Sequence, residues 1–142
     1  IISYLFQIDY SSIEKIKRVD NRLSLRIMDG YFILDDAYNS NILGAGYALE
    51  VLKTHKGNKF LITPGFAEMD LIKEELAKEY ASMINDSVDN LILVRNDFTT
   101  LLSKYVKDLK VDFVESFREG FDLFLRVKEV NSILLIENDL LE

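Results

Sequence analysis

The chain has 142 residues, 49% of them hydrophobic and 29% charged, which is the balance of one globular domain with a full core. Cysteine is absent, so a disulfide framework and a thiolate metal site are both excluded, and any cofactor must be held by oxygen and nitrogen groups. A net charge of −7, from 24 acidic and 17 basic side chains without a Lys/Arg block, argues against nucleic acid or an anionic membrane as partner.

No stretch reaches the roughly 18 uninterrupted apolar residues of a spanning helix, and the start lacks the basic region and cleavage site of a signal peptide. The sequence therefore reads as soluble and fits a reducing cytoplasm. Its apolar opening, Ile1-Ile2-Ser3-Tyr4-Leu5-Phe6, carries no initiator methionine, as expected of a chain that begins inside a larger fold. Residues 4–18 read as helical, with a capping-box spacing at Ser11-Ser12-Ile13-Glu14 and Ile13, Ile16 and Lys17 continuing a helical face. A short junction, Val19-Asp20-Asn21, separates this helix from the domain proper.

Leu23-Ser24-Leu25-Arg26-Ile27 alternates, Asp29-Gly30 is a tight-turn dipeptide and Tyr31-Phe32-Ile33-Leu34 is apolar, which predicts a β-hairpin. Strand and helix then alternate. Ala45, Ala48, Leu49 and Leu52 keep helical spacing, and Phe60-Leu61-Ile62 follows as a strand. A helix from about Glu68 to Ile84 should face inward through Ile72, Leu76, Tyr80 and Met83, before the buried strand Leu91-Ile92-Leu93-Val94. Helical spacing recurs from Phe98 to Leu109, ahead of a strand at Val111-Asp112-Phe113-Val114. Ser116-Phe117-Arg118-Glu119 has a second capping box, opening a helix with Phe117, Phe121, Phe124 and Leu125 inward, and Ile133-Leu134-Leu135-Ile136 closes the series. This order predicts an α/β, Rossmann-like fold, with a mostly parallel sheet flanked by helices and an N-terminal hairpin at one edge.

Ligands of an open parallel sheet bind beyond the carboxyl ends of its strands. The segments there are Asp35 to Asn41, Thr63 to Glu68, Arg95-Asn96-Asp97 and Glu137-Asn138-Asp139, which are polar and rich in carboxylates. No P-loop is present, and Gly44-x-Gly46 falls within a helical pattern without a third glycine, so the chain alone cannot cradle a triphosphate in the P-loop manner. Metal binding by Asp35 and Asp36 is disfavoured, because adjacent strand residues point to opposite faces. His55, beside Lys53 and Lys56, reads as a solvated helix end.

Leu34-Asp35-Asp36-Ala37-Tyr38-Asn39-Ser40-Asn41 resembles the D-D-A-Y-N-A-N-P segment opening the C-terminal domain of the Mur ligase family, in the pattern of the member that adds D-alanyl-D-alanine to a UDP-linked muramoyl tripeptide. Arg22-Leu23 resembles the family's R-L element, Thr63-Pro64-Gly65-Phe66-Ala67-Glu68-Met69 its T-P-G-x-x-E-L loop, and Ile136-Glu137-Asn138-Asp139-Leu140 its closing L-E-N-D-L-P-D. The resemblance makes residues 20–142 a Mur ligase C-terminal domain and residues 1–19 the end of the central ATP-binding domain or a linker helix. It implies a reaction in which ATP phosphorylates the carboxylate of a UDP-linked muramoyl peptide, and the amine of an incoming amino acid or dipeptide displaces the phosphate. In that scheme the domain is a lid, and ATP and Mg2+ are held mainly by other domains of the same polypeptide. Arg22 would be catalytic, neutralising the triphosphate. Asp36, Tyr38 and Asn39 would bind nucleotide, Asp36 through the ribose hydroxyls, and Glu68, Asn138 and Asp139 would stand near the incoming amine. Ile42 replaces the family's proline, Asn21 stands where many relatives have histidine and Leu141-Glu142 replaces the final P-D, which leaves the amino acid added undetermined.

The plain alternative makes Asp36-Ala37-Tyr38-Asn39 a strand-to-helix loop in which Asn39, Ser40 or Asn41 caps the next helix. Arg22 is then a surface ion pair and Glu68 a favourable charge in a first helical turn. Two rival functions are a receiver-like signalling module, whose acidic pocket would use Asp35-Asp36 but which needs an Asp after a middle strand and a Lys after a later one where this chain has Thr63-Pro64 and Glu137, and a non-catalytic binding subunit on the ligase fold.

Overall fold

The computed structural model describes residues 23–37, 41–66 and 72–137. The expected opening helix, the Val19-Asp20-Asn21 junction and with them the proposed domain boundary lie outside these residues.

The alternating segment and its Asp29-Gly30 turn fold as expected. β1 (Ser24–Ile27) and β2 (Tyr31–Asp36) pair antiparallel, with Arg26 opposite Ile33. Gly30 closes the turn at φ +87°, a conformation costly for any residue with a Cβ, and Met28 N–H donates to the Tyr31 carbonyl at 2.9 Å. Next come α1 (Ile42–Lys53), β3 (Lys59–Thr63), α2 (Lys73–Ser87) and β4 (Asn90–Val94). They are followed by α3 (Asp97–Leu102), β5 (Lys110–Val114), α4 (Phe117–Val127) and β6 (Ser132–Glu137).

The six strands form one sheet in the order β1-β2-β6-β3-β4-β5, parallel throughout except for β1. β3, β4 and β5 step outward one strand at a time, and α4 then carries the chain back past two strands to insert β6 between β2 and β3. The direction of winding therefore reverses at β6, and in open α/β sheets a reversal of this kind marks the crevice where ligands bind. Among the five parallel strands the order is first, fifth, second, third, fourth. Flavodoxin-like receiver domains have the order 2-1-3-4-5 instead, so the topology argues against the receiver alternative.

Strand alternation divides the core. Leu34, Leu61, Leu91, Leu93, Ile133 and Leu135 face α1, α2 and α3, whereas Ile33, Ile62, Ile92, Leu134 and Ile136 face α4. The central strands are buried on both sides, which is why they read as unbroken apolar runs. Helix faces differ from expectation in three places. α2 runs from Lys73 to Ser87, and Ile72, just ahead of it, is 52% exposed, so the inward stripe is Leu76, Ala77, Tyr80, Ala81 and Ile84. α3 ends at Leu102, and Tyr105, Val106 and Leu109 reach the core from the segment beyond it rather than from a continued helix; Asp108 within that segment takes φ +62°. On α4, Phe124 is fully buried between Tyr31 and Phe60 and Phe117 and Phe121 pack partly beneath it, but Leu125 is exposed.

Candidate functional site

At the carboxyl edge of the sheet the chain leaves β2 through Asp35 and Asp36, which alternation sends to opposite faces. Asp35 turns to the outer side, where it pairs with Arg26 of β1 and accepts the Ala37 N–H at 3.1 Å. Asp36 turns inward onto the Leu34 side and is buried, 2% exposed. The chain then enters α1, whose N-cap is Asn41: its Oδ1 accepts the Gly44 N–H at 2.9 Å. Of the three candidate caps Asn39, Ser40 and Asn41, it is Asn41 that takes this role. The free N–H groups of the first turn of α1 thus open at the edge where Asp36 sits.

Asp36 has neighbours that the motif did not announce. In the ladder it stands opposite Glu137, the last residue of β6. Thr63 ends β3 on the far side of β6, one step beyond the Ile62 and Ile136 pair. Three polar side chains thus close three adjacent strands on one face. All are buried, with Glu137 and Thr63 at 0% exposure. Tyr80 reaches down from the inward stripe of α2 and donates its phenolic proton to Glu137 Oε1 at 2.5 Å, and Thr63 Oγ1 lies 3.2 Å from the same phenol oxygen. Glu137 Oε2 is buried and has no hydrogen-bond partner. Burial holds the Glu137 carboxyl well above the usual carboxylate range; the Tyr80 hydrogen bond opposes this and the neighbouring Asp36 charge adds to it.

The loop after β3 is built with equal care. Gly65 N–H donates to Thr63 Oγ1 at 3.0 Å, and Asn96 Nδ2 donates to the Pro64 carbonyl at 2.7 Å. Gly65 adopts φ +78°, and a Cβ there would lie 2.2 Å from Phe98 Cδ1, so only glycine fits. Asn96 is also the N-cap of α3, in a reciprocal capping box with Thr99.

Of the residues singled out in the sequence, Asp36 is placed at the strand edge. Arg22, Tyr38, Asn39, Glu68, Asn138 and Asp139 lie outside the described residues. Among the described residues no cluster of three or more histidine or carboxylate side chains is arranged to hold a metal ion, and no helix is long and apolar enough to cross a membrane. His55 is not a solvated helix end. It is 1% exposed, with Nε2 2.6 Å from the Asn131 carbonyl and its ring edge-on to Phe32. The chain bends inward after Lys53, so an imidazole flanked by lysines becomes a tie between α1 and the turn before β6. Glu137, Thr63 and Tyr80 were missed as site residues although a signal existed. Glu137 shares strand parity with Ile133 and Leu135, and Tyr80 shares helical phase with Leu76, so each carries a polar group into an apolar face.

The fold and this edge define a three-layer α/β domain with a buried polar, carboxylate-bearing cluster at the reversal of winding. Solved structures with the same fold are Mur ligases. MurF ligase from Thermotoga maritima in complex with ADP superposes with a TM-score of 0.67 at 21% identity, covering 83% of this chain and 27% of that one. MurF from Acinetobacter baumannii gives 0.66 at 18%, covering 84% and 27%. A single domain assigned to a UDP-N-acetylmuramate:L-alanyl-gamma-D-glutamyl-medo-diaminopimelate ligase from Haemophilus ducreyi 35000HP gives 0.63 at 11%, covering 83% of this chain and 88% of that domain. The chain therefore spans about a quarter of the two MurF enzymes, 27% of each, and most of the isolated domain. No protein-family profile and no curated protein sequence matches the chain.

Proposed function

We propose that this chain is the C-terminal domain of an ATP-dependent Mur-type peptide ligase of cell-wall precursor synthesis, a cytoplasmic enzyme whose triphosphate and Mg2+ are held mainly by other domains of the same polypeptide. The observation that carries the reading is the placement of Asp36. Asp35 and Asp36, which open the family-like segment, end β2 beside the winding reversal, in a fold shared with Mur ligases. Asp36 accepts from the ribose hydroxyls of ATP, while the N-terminus of α1 faces the same edge and favours a polar or anionic group there. Asp36 is covered in the chain as it stands, so nucleotide binding must uncover its carboxylate. Tyr38 and Asn39 line the nucleotide. Arg22 offsets negative charge on the phosphates as the γ-phosphoryl group leaves. Glu68, Asn138 and Asp139 stand near the incoming amine, the last two directly after Glu137.

The test is phosphate release by the full-length polypeptide from ATP, supplied with UDP-linked muramoyl tripeptide and D-alanyl-D-alanine, or with single amino acids in its place. Release that requires both a UDP-linked muramoyl peptide and an amine supports the reading. Release indifferent to both partners overturns it.

A further inference from the structure

Glu137 is an acid in a place where an ion is expensive. It is fully buried, its Oε1 has one hydrogen bond, from Tyr80, and its Oε2 has none. A carboxylate in that setting would be a desolvated charge held by a single donor, and proteins avoid this by keeping the proton. A protonated Glu137 would have a carbonyl oxygen, Oε1, accepting from Tyr80, and a hydroxyl at Oε2 that needs an acceptor. Its ladder partner supplies one: Asp36 is in register with Glu137 on the adjacent strand, on the same face. Among the described residues, the other groups turned toward Glu137 are Thr63 from β3 and Tyr80 from α2, and neither is a cation. The charged side chains Glu50 and Lys53 of α1 and Glu74, Glu75, Lys78 and Glu79 of α2 are exposed, Lys73 is half-buried, and His55 lies at the opposite end of β6 beside Asn131.

We propose that Glu137 is a positioning residue for Asp36: it is carried as the neutral acid and shares its Oε2 proton with the Asp36 carboxylate across the β2 and β6 ladder, so that the pair holds one proton and Asp36 keeps a fixed orientation. Thr63 and Tyr80 set the geometry from the other side. Tyr80 has one phenolic proton for two oxygens, Glu137 Oε1 at 2.5 Å and Thr63 Oγ1 at 3.2 Å, and the shorter contact is the one that takes it. The functional half of this proposal rests on the reading that Asp36 meets the ribose, and the shared proton does not.

Two measurements separate the halves. The first is carbon-13 carboxyl NMR of the 142-residue chain labelled at glutamate and titrated from acid to neutral pH, with Glu137→Gln identifying the resonance. Glu137 should remain protonated through the range where the exposed glutamates ionise, near about pH 4.3, and Asp36→Asn should lower its midpoint by removing the like charge and offering an amide donor to the ionised form. Titration of Glu137 together with the exposed glutamates, or a midpoint indifferent to Asp36→Asn, overturns the shared proton. The second is steady-state kinetics of the full-length polypeptide. Glu137→Gln keeps an uncharged donor and should leave KM for ATP within about twofold, whereas Glu137→Leu, which fills the space without a donor, should raise it at least about fivefold with kcat little changed. Equal damage by Gln and Leu would mean that an ionised Glu137 is required and would overturn the proposal. Asp36→Ala in the same series removes the ribose contact itself: an unchanged KM removes the nucleotide reading and the positioning role with it, and leaves the NMR result to decide the proton.

Discussion

Asp35 and Asp36 are neighbours with opposite fates, and the difference is strand alternation. Asp35 spends its oxygens on Arg26 and the Ala37 N–H at the outer face, while Asp36 is buried against Glu137. A charged hydrogen bond to ribose is worth roughly 1.5–3 kcal/mol, so Asp36→Ala in the full-length polypeptide should raise KM for ATP about 10- to 100-fold. Asp35→Ala should stay within about twofold, since it loses a surface ion pair. Kinetics on the two single mutants, with circular dichroism to establish folding, decides between them, and the reverse pattern would mean that the inward register is misassigned by one residue. Glu137 makes a prediction that needs no substrate. Because burial raises its folded-state pKa, its contribution to stability is complete below the unfolded value of about 4.3 and is lost as pH rises through the folded value. Glu137→Gln removes that titration. Urea unfolding at a series of pH values should show the variant gaining on the parent as pH rises above about 4.3, by up to about 1.4 kcal/mol per pH unit. A constant difference across that range would mean that Glu137 ionises normally. The motif made Asp36 legible in the sequence, but not its partner, because Glu137 is about a hundred residues away and only the parallel ladder brings the two into register.

Individual elements were legible where local chemistry decides them. The hairpin follows from alternation and a turn glycine, and α4 from Ser116, which accepts the Glu119 N–H at 3.2 Å as the capping pattern requires. The reciprocal half of that box is displaced by one residue: Glu119 Oε1 accepts from the Glu115 N–H instead. Elements were less legible where tertiary contacts overrule spacing, as in α3, whose apolar periodicity continues beyond the helix through residues that reach the core from the segment after it. The Thr63-Pro64-Gly65 turn lies between these cases, since its glycine is explained both by a left-handed backbone and by the distant Phe98 ring packed against it. Gly65→Ala should cost about 2 kcal/mol or more, combining a left-handed backbone unsuited to alanine with overpacking against Phe98. Chemical denaturation checks this, and Gly65→Ala combined with Phe98→Ala should recover part of the loss if the ring contact contributes. No recovery would leave backbone conformation as the whole cause.

At the scale of the molecule, the described residues form one α/β layer system, and the sequence holds no P-loop. The glycines Gly44 and Gly46 lie inside α1 rather than in a loop. On the proposed reading the chain contributes ribose and lid contacts only, and binding of ATP by the 142-residue chain alone should be no tighter than roughly millimolar, about −4 kcal/mol. Isothermal calorimetry measures this directly, and micromolar binding would place the phosphate site within this chain.

The sequence by itself determined the class of fold, the order of strands and helices along the chain and the position of the Asp35-Asp36 segment at a strand end, because these follow from periodicity, capping and turn chemistry that act over a few residues. Only the tertiary structure decided that β6 inserts between β2 and β3, that His55 is buried against Asn131, and that Asp36, Glu137, Thr63 and Tyr80 converge from four elements. Strand order and side-chain convergence depend on contacts between residues far apart in the chain, and local spacing carries no record of which distant strand will lie alongside.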